Sequence, residues 1–248
     1  MANPQKLQAT VKNIVAYGRQ VYRVDFELDK KFPRYKPGQF LHLTLEEFDP
    51  TSGFWPESRV FSIAGCSDDR REITIVYSVK GKYTGRMESE LEIGTKVWLK
   101  APYGEFIIPN YLEDEDTAVL IAGGTGISPF IPFLDHRESS HEVKLFYGVK
   151  SSKLIIFNDE LEKANNNPKI DVSLFLEEPE GEKEFKDKYS TFTGMLSVPK
   201  IVENITGSNT NSSHVFFISG PPEMIKKFKD ELVEAGIAAD RIITDEWS

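Results

Sequence analysis

The sequence predicts two domains: an N-terminal antiparallel six-stranded β-barrel with one short helix, and a C-terminal α/β domain with a parallel five-stranded sheet. Three observations predict this. Through the first half, apolar residues alternate with polar ones, the signature of half-buried strands. Through the second half, short continuous apolar runs alternate with helical segments, as in a parallel sheet covered on both faces. Between them stands the acidic run Glu113-Asp114-Glu115-Asp116, which places the boundary at residues 1–112 and 113–248.

In the first half, apolar residues fall at 22, 24, 26 and 28, at Leu41, Leu43 and Leu45, and at Ile73, Ile75, Tyr77 and Val79. Further apolar runs lie at 8–16, 60–64 and 96–100, and turn clusters such as Lys36-Pro37-Gly38 and Asp68-Asp69-Arg70 separate the strands. The short helix is expected over 84–91. Six short antiparallel strands of this kind close most simply as a small barrel.

In the second half, strands are expected at 117–122, 143–149, 170–176, 214–219 and 241–244, with helices at 127–137, 157–165 and 222–235. The last is the clearest, because Met224, Ile225, Phe228 and Leu232 share one face, Lys226, Lys227, Lys229 and Asp230 point away, and Gly236 stands at the C-terminal cap position. Residues 203–213 read as a polar loop.

Composition narrows the function classes. The 248-residue chain is 40% hydrophobic and 28% charged, with a formal net charge of -9. That is the profile of an ordinary globular protein, and it disfavours nucleic acid as a partner. No apolar stretch approaches the ~20 residues that span a bilayer, and the opening residues lack a signal-peptide layout; the expectation is a cytoplasmic protein with no membrane span. Cys66 is the single cysteine, so this chain cannot build a disulfide framework or a four-cysteine iron–sulfur site. His42, His136, His141 and His214 show no metal-ligand spacing and are read as structural, so no metal is expected.

The one local motif with chemical content is Gly123-Gly124-Thr125-Gly126, which follows an apolar strand and is expected to open a helix. Exposed N–H groups and a helix dipole hold phosphate in that setting. Pro129 occupies the place of the third glycine in the G-x-G-x-x-G fingerprint, and no Lys-Ser or Lys-Thr pair follows, which excludes an ATPase P-loop. Alone, the loop fits a nucleotide site and a tight strand–helix turn equally well.

Its company is more specific. Arg59-Val60-Phe61-Ser62, Gly81-Lys82-Tyr83-Thr84, Pro102-Tyr103-Gly104-Glu105-Phe106, the glycine loop, Gly220-Pro221-Pro222-Glu223-Met224 and Asp245-Glu246-Trp247 occur in that order. From about residue 8 to 247, this resembles the ferredoxin–NADP reductase superfamily, in which a flavin-binding barrel precedes an NAD(P)-binding domain.

The resemblance implies roles residue by residue. Arg59 would hold flavin phosphate, Phe61 would lie against the isoalloxazine where tyrosine is usual, and Ser62 would hydrogen-bond near N5, with Val60 between them. Val79 and Lys80 would line the flavin. The turn at Gly81, with Tyr83 and Thr84, would take the second phosphate, which favours FAD over FMN. Gly123, Gly124, Thr125 and Gly126 would meet the pyrophosphate of NADH or NADPH, and Gly220, Pro221 and Pro222 would lie near the nicotinamide. Ser219 stands where the family often has cysteine. Trp247 would stack over the flavin's other face, with Asp245 or Glu246 as a nearby acid.

The bland alternatives are a surface Arg59, a core Phe61, Thr84 as a simple helix cap and a terminus without a role. Glu177 and Glu178, where NADP-using members tend to have Ser and Arg, favour NADH, although Ser151 and Lys153 weaken that preference. The activity implied is hydride transfer from NAD(P)H to FAD, then electron transfer to a separate ferredoxin, flavodoxin or oxygenase component. A patch at Lys80, Lys82 and Arg86 would suit an acidic partner. A reductase of free flavin or another small molecule, and a non-catalytic nucleotide-sensing subunit, are the alternatives.

Overall fold

A computed structural model of the chain describes residues 4–18, 20–49, 51–135, 141–178, 185, 187–206 and 213–246. The chain divides into two compact units, Met1–Ile107 and Ile108–Ser248.

The first unit is an antiparallel sheet of β1 (Gln5–Ala16), β2 (Val21–Leu28), β3 (Phe40–Thr44), β4 (Arg59–Ser62), β5 (Gly65–Cys66), β6 (Glu72–Ser78) and β7 (Lys96–Tyr103), in the order β4-β3-β7-β1-β2-β6-β5. It has seven strands rather than six because the run expected at 60–64 continues into β5. The Ile63 N–H donates to Gln39 O at one sheet edge, and the Ala64 N–H donates to Thr74 O at the other, both at 3.0 Å. Two residues thus carry the chain across the gap, and the sheet curls on itself.

Alternation delivers the core: Leu7, Val24, Phe26, Leu41, Ile75 and Leu99 are fully buried. Each such side chain contributes roughly 1.5–3 kcal/mol by leaving water. Helix α1 (Lys82–Glu90) adds Tyr83 and Met87 to that core. It begins two residues earlier than expected, because Thr84 caps it from inside: its Oγ1 accepts the N–H groups of Lys80 at 2.9 Å and Gly81 at 3.2 Å.

The second unit is a parallel sheet of β8 (Thr117–Gly123), β9 (Val143–Val149), β10 (Ile170–Leu176), β11 (Ser190–Thr193), β12 (His214–Ser219) and β13 (Ile242–Thr244), ordered β11-β10-β9-β8-β12-β13. The extra strand, β11, carries no apolar run. It holds the sheet edge through Phe192, whose ring stacks on Phe175 at 4.7 Å.

Accompanying the sheet are the helices α2 (Ile131–Leu134), α3 (Asn158–Asn165), α4 (Val198–Thr206) and α5 (Pro222–Glu234). The helix expected at 127–137 is instead a 3-10 turn, Gly124–Ile127, followed by the four-residue α2. Pro129 and Pro132 supply no N–H, so a continuous ladder cannot form there. The polar loop expected at 203–213 is also corrected: Glu203 to Thr206 form the end of α4, whose Val198, Ile201 and Ile205 are buried. Residues 207–212 lie outside the described residues.

Candidate functional site

In the first unit, β4 leads from Arg59, opposite Leu43, to Ser62, opposite Phe40. Three residues of strand cover about 10 Å. At the Arg59 end, the guanidinium lies 4.6 Å from the ring centroid of Tyr83. That ring is fixed, because the Tyr83 hydroxyl donates to Leu43 O at 3.0 Å and accepts the Leu45 N–H at 3.1 Å. Arg59 is thereby brought to the N-terminus of α1, where the amides of Lys82, Tyr83 and Thr84 precede the first helical bond, Gly85 N–H to Gly81 O at 2.9 Å. A Cβ added at Gly81 would meet nothing within 4 Å, so the backbone there is open to a ligand. A guanidinium fork beside free helix-end amides is a chemically apt cradle for a diphosphate.

Other residues of this unit fall less simply. Glu57 occupies Arg59 through a 2.8 Å ion pair between exposed side chains, a competitor that its position two residues upstream could have revealed. Phe61 is 9% exposed and joins the barrel core, edge-on to Tyr77 at 6.3 Å. Ser62 and Val60 are half-buried. Val79 is pinned by its N–H to Gln20 O at 2.9 Å, and Lys80 is exposed. Arg86 is held between Glu46 at 2.8 Å and Glu90 at 2.7 Å, so its charge is already answered, while Lys80 and Lys82, the other members of the expected patch, are exposed.

In the second unit, the chain leaves β8 toward β9, β10 and β11, then returns on the other side as β12 and β13. The carboxyl ends of β8 and β12, paired through Ala122 and Ser219, therefore flank the topological switch point, where open α/β sheets take their ligands. The glycine loop and the Gly220-Pro221-Pro222 turn both start there. Gly124 has φ +54, and a Cβ added to it would meet nothing within 4 Å, a conformation and an opening that glycine alone offers cheaply. At Gly126 a Cβ would collide with the Ser219 carbonyl and lie 2.6 Å from the Gly220 N, so the two turns meet backbone to backbone. Ser128, which sequence reasoning missed, fixes the loop by donating from Oγ to Thr125 O at 2.8 Å. Met224, at the start of α5, fills the space against both Gly123 and Gly220.

Beside this crevice is a buried polar pair. Ser219, 3% exposed, donates from Oγ to Asp245 Oδ2 at 2.9 Å, and the Asp245 N–H donates to Ile218 O at 2.9 Å. Burial pushes the Asp245 carboxyl up to about 7, against a smaller lowering by the Ser219 hydrogen bond. Near neutral pH this acid can hold or release a proton. Glu246 is exposed, while His136, Pro179 and Trp247 lie outside the described residues. At the carboxyl end of β10, the N–H groups of Glu177 and Glu178 donate to Val149 O and Lys150 O, which leaves Glu177 exposed. Among the described residues, no group of three or more His, Cys, Asp or Glu side chains could hold a metal ion, and no helix is long and apolar enough to cross a membrane.

An antiparallel curled sheet followed by a parallel sheet with glycine turns at its switch point defines a two-domain protein with a dinucleotide-type second domain. Residues 120–230 match the family model described as an oxidoreductase NAD-binding domain. The chain is 27% identical over 252 residues to the phenol hydroxylase P5 protein of Acinetobacter pittii, covering 98% of this chain and 66% of that protein. It is 24% identical over 217 residues to a flavohemoprotein of Rhizobium meliloti, covering 84% and 51%. It thus spans roughly half to two thirds of these relatives. A ferredoxin NADP+ reductase from Neisseria gonorrhoeae, solved with FAD and NADP, shares the fold at TM-score 0.73 and 20% identity, with 98% of both chains covered. The chain thus shares the fold of that reductase, and its second unit carries the match to an oxidoreductase NAD-binding domain.

Proposed function

We propose that the chain is a flavoprotein reductase that passes hydride from NAD(P)H to bound FAD and then electrons to a separate acceptor. One observation carries this reading: each unit builds a turn of open backbone suited to a diphosphate, at Gly81 beside Arg59 and at Gly124 on the switch point. The first would hold the flavin's diphosphate and the second that of the nicotinamide cofactor. Bound FAD supplies the chemistry that converts a two-electron hydride into electrons for an acceptor.

The chain's own residues supply position. Arg59 and the amides of Lys82 to Thr84 orient the flavin phosphates, and β4 then leads toward Ser62, whose hydroxyl would meet the ring. In the second unit Gly124, Thr125 and Gly126 admit the pyrophosphate, with Pro221 and Pro222 shaping the far side. Asp245, coupled to Ser219, holds a proton beside the Gly220 turn. The exposed Glu177 carboxylate would accept a hydrogen bond from a ribose 2′-OH and repel a 2′-phosphate, which supports NADH as the donor. Dependence on NAD(P)H supports a cytoplasmic location, and the relatives' names support an oxygenase component or carrier protein as acceptor.

A reductase of free flavin is the second reading, and the Glu57–Arg59 ion pair favours it, because flavin phosphate must displace that carboxylate. The purified chain separates the two. A yellow protein that retains FAD through gel filtration supports the first; a colourless protein that turns over only with added flavin supports the second. Retained flavin that neither nucleotide reduces would leave a non-catalytic nucleotide-binding subunit.

A further inference from the structure

Charge is unevenly divided along the chain. Residues 1–107 hold 16 Lys and Arg against 14 Asp and Glu, whereas residues 108–248 hold 14 against 25. The net acidity therefore belongs to the second unit, and within the first the cations gather in one place. The connection from β2 to β3 reads Asp29-Lys30-Lys31-Phe32-Pro33-Arg34-Tyr35-Lys36, with Lys30, Lys31, Arg34 and Lys36 all exposed.

This segment is built, not loose. Phe32 is fully buried in the barrel core, and the Phe32 N–H donates to Arg70 O at 2.7 Å. The Arg70 guanidinium donates to Phe32 O at 3.1 Å, and that of Arg71 to Asp29 O at 2.9 Å, so two more cations lie along the same segment. Asp29, Asp68 and Asp69 offset part of this charge. Asp69 is engaged by Ser67 and the Arg71 N–H, at 2.6 and 3.0 Å. Cations remain in excess.

The hydrogen bonds also say which end of the barrel this is. The Lys36 N–H donates to Gln39 Oε1 at 2.9 Å, Gln39 Nε2 donates to Gly104 O at 3.3 Å, and Gln39 O accepts the Ile63 N–H at 3.0 Å. The basic segment thus runs into the Ser62 end of β4, opposite the Arg59 end.

We propose that the segment from Lys30 to Lys36, buttressed by Arg70 and Arg71, is the docking surface for an acidic electron-accepting protein. The inference rests on the flavoprotein reading. On that reading phosphate lies at Arg59, the redox-active ring lies toward Ser62, and an acceptor must approach the ring end. One hydride from the nicotinamide supplies two electrons, delivered one each to two acceptor molecules, and its remaining proton is released. An anionic membrane is the less favoured occupant, because Phe32 is buried and Tyr35 half-buried rather than turned out as apolar anchors beside the cations.

The test uses the full chain with bound FAD and its reducing nucleotide, and two acceptors: a strongly acidic [2Fe–2S] ferredoxin and uncharged benzoquinone. Lys30→Glu, Lys31→Glu and Arg34→Glu are combined in one variant. A second variant makes the same charge change at Lys226, Lys227 and Lys229 on the exposed face of α5. The first variant should raise KM for ferredoxin about tenfold or more and abolish its salt dependence, with benzoquinone turnover unchanged, as expected when steering charges are lost. The second variant should shift KM far less.

Equal shifts in both variants, or none in the first, would overturn the docking assignment. It would also be overturned if the first variant lost binding to phosphatidylglycerol vesicles while its ferredoxin KM stayed at the wild-type value. A wild-type protein that holds no flavin and reduces neither acceptor would instead overturn the underlying reading, and the docking surface with it.

Discussion

Replacing Asp245 by asparagine isolates the buried carboxyl beside the switch point. In the native state that carboxyl stays protonated until about pH 7, whereas an unfolded aspartate ionises near its ordinary value of 3.8. Between these values the folded chain binds the extra proton, so unfolding releases it and raising the pH favours unfolding. Stability from this group is thus fully present below about pH 4 and lost progressively up to about pH 7. The full displacement corresponds to about 4 kcal/mol. The Asp245→Asn amide would keep an acceptor for the Ser219 hydroxyl and remove the titration. Urea midpoints measured from pH 4 to 8 should show the wild type losing ground to Asp245→Asn as pH rises through this window. Other carboxylates, such as Asp116 paired with Arg241 at 2.9 Å, act equally in both proteins and cancel. Parallel profiles for the two would refute the argument that burial holds this acid protonated.

Three further expectations follow from the same geometry. Arg59→Ala should weaken FAD retention roughly ten- to a hundredfold, the loss expected for a charged hydrogen bond, while Glu57→Gln should tighten it severalfold by freeing the guanidinium; equilibrium dialysis measures both. Gly126→Ala should force the glycine loop away from the Ser219 carbonyl and cost the second unit about 1–3 kcal/mol, read as a lower urea midpoint together with a raised nucleotide KM. Glu177→Gln should narrow the preference for NADH over NADPH about tenfold or less, with the ratio of kcat/KM values as the readout.

Much of this was legible because burial writes itself into periodicity. Leu41 and Leu43 alternate with polar residues since one face of β3 meets the core, and the continuous run at β8 is apolar because both its faces are covered. What escaped detection had weaker physics behind it. β5 is two residues long and exists only through the step from Ile63 to Ala64; β11 borrows its stability from Phe192 against Phe175. The expected helix after the glycine loop failed on Pro129 and Pro132, whose missing donors outweighed the apolar pattern around them. For the candidate site, the motifs located Arg59, Gly81 and the two glycine turns. Long-range partners could not be read from spacing: Tyr83 beneath Arg59, and Asp245 against Ser219 across 26 residues.

The central claim is that this chain joins a nicotinamide donor to a bound flavin. Anaerobic addition of one equivalent of NADH to the flavin-loaded protein, followed by the flavin absorbance, tests it most directly. Rapid and complete bleaching, faster with NADH than with NADPH, is the predicted result. A flavin that stays oxidised with both nucleotides would contradict the account.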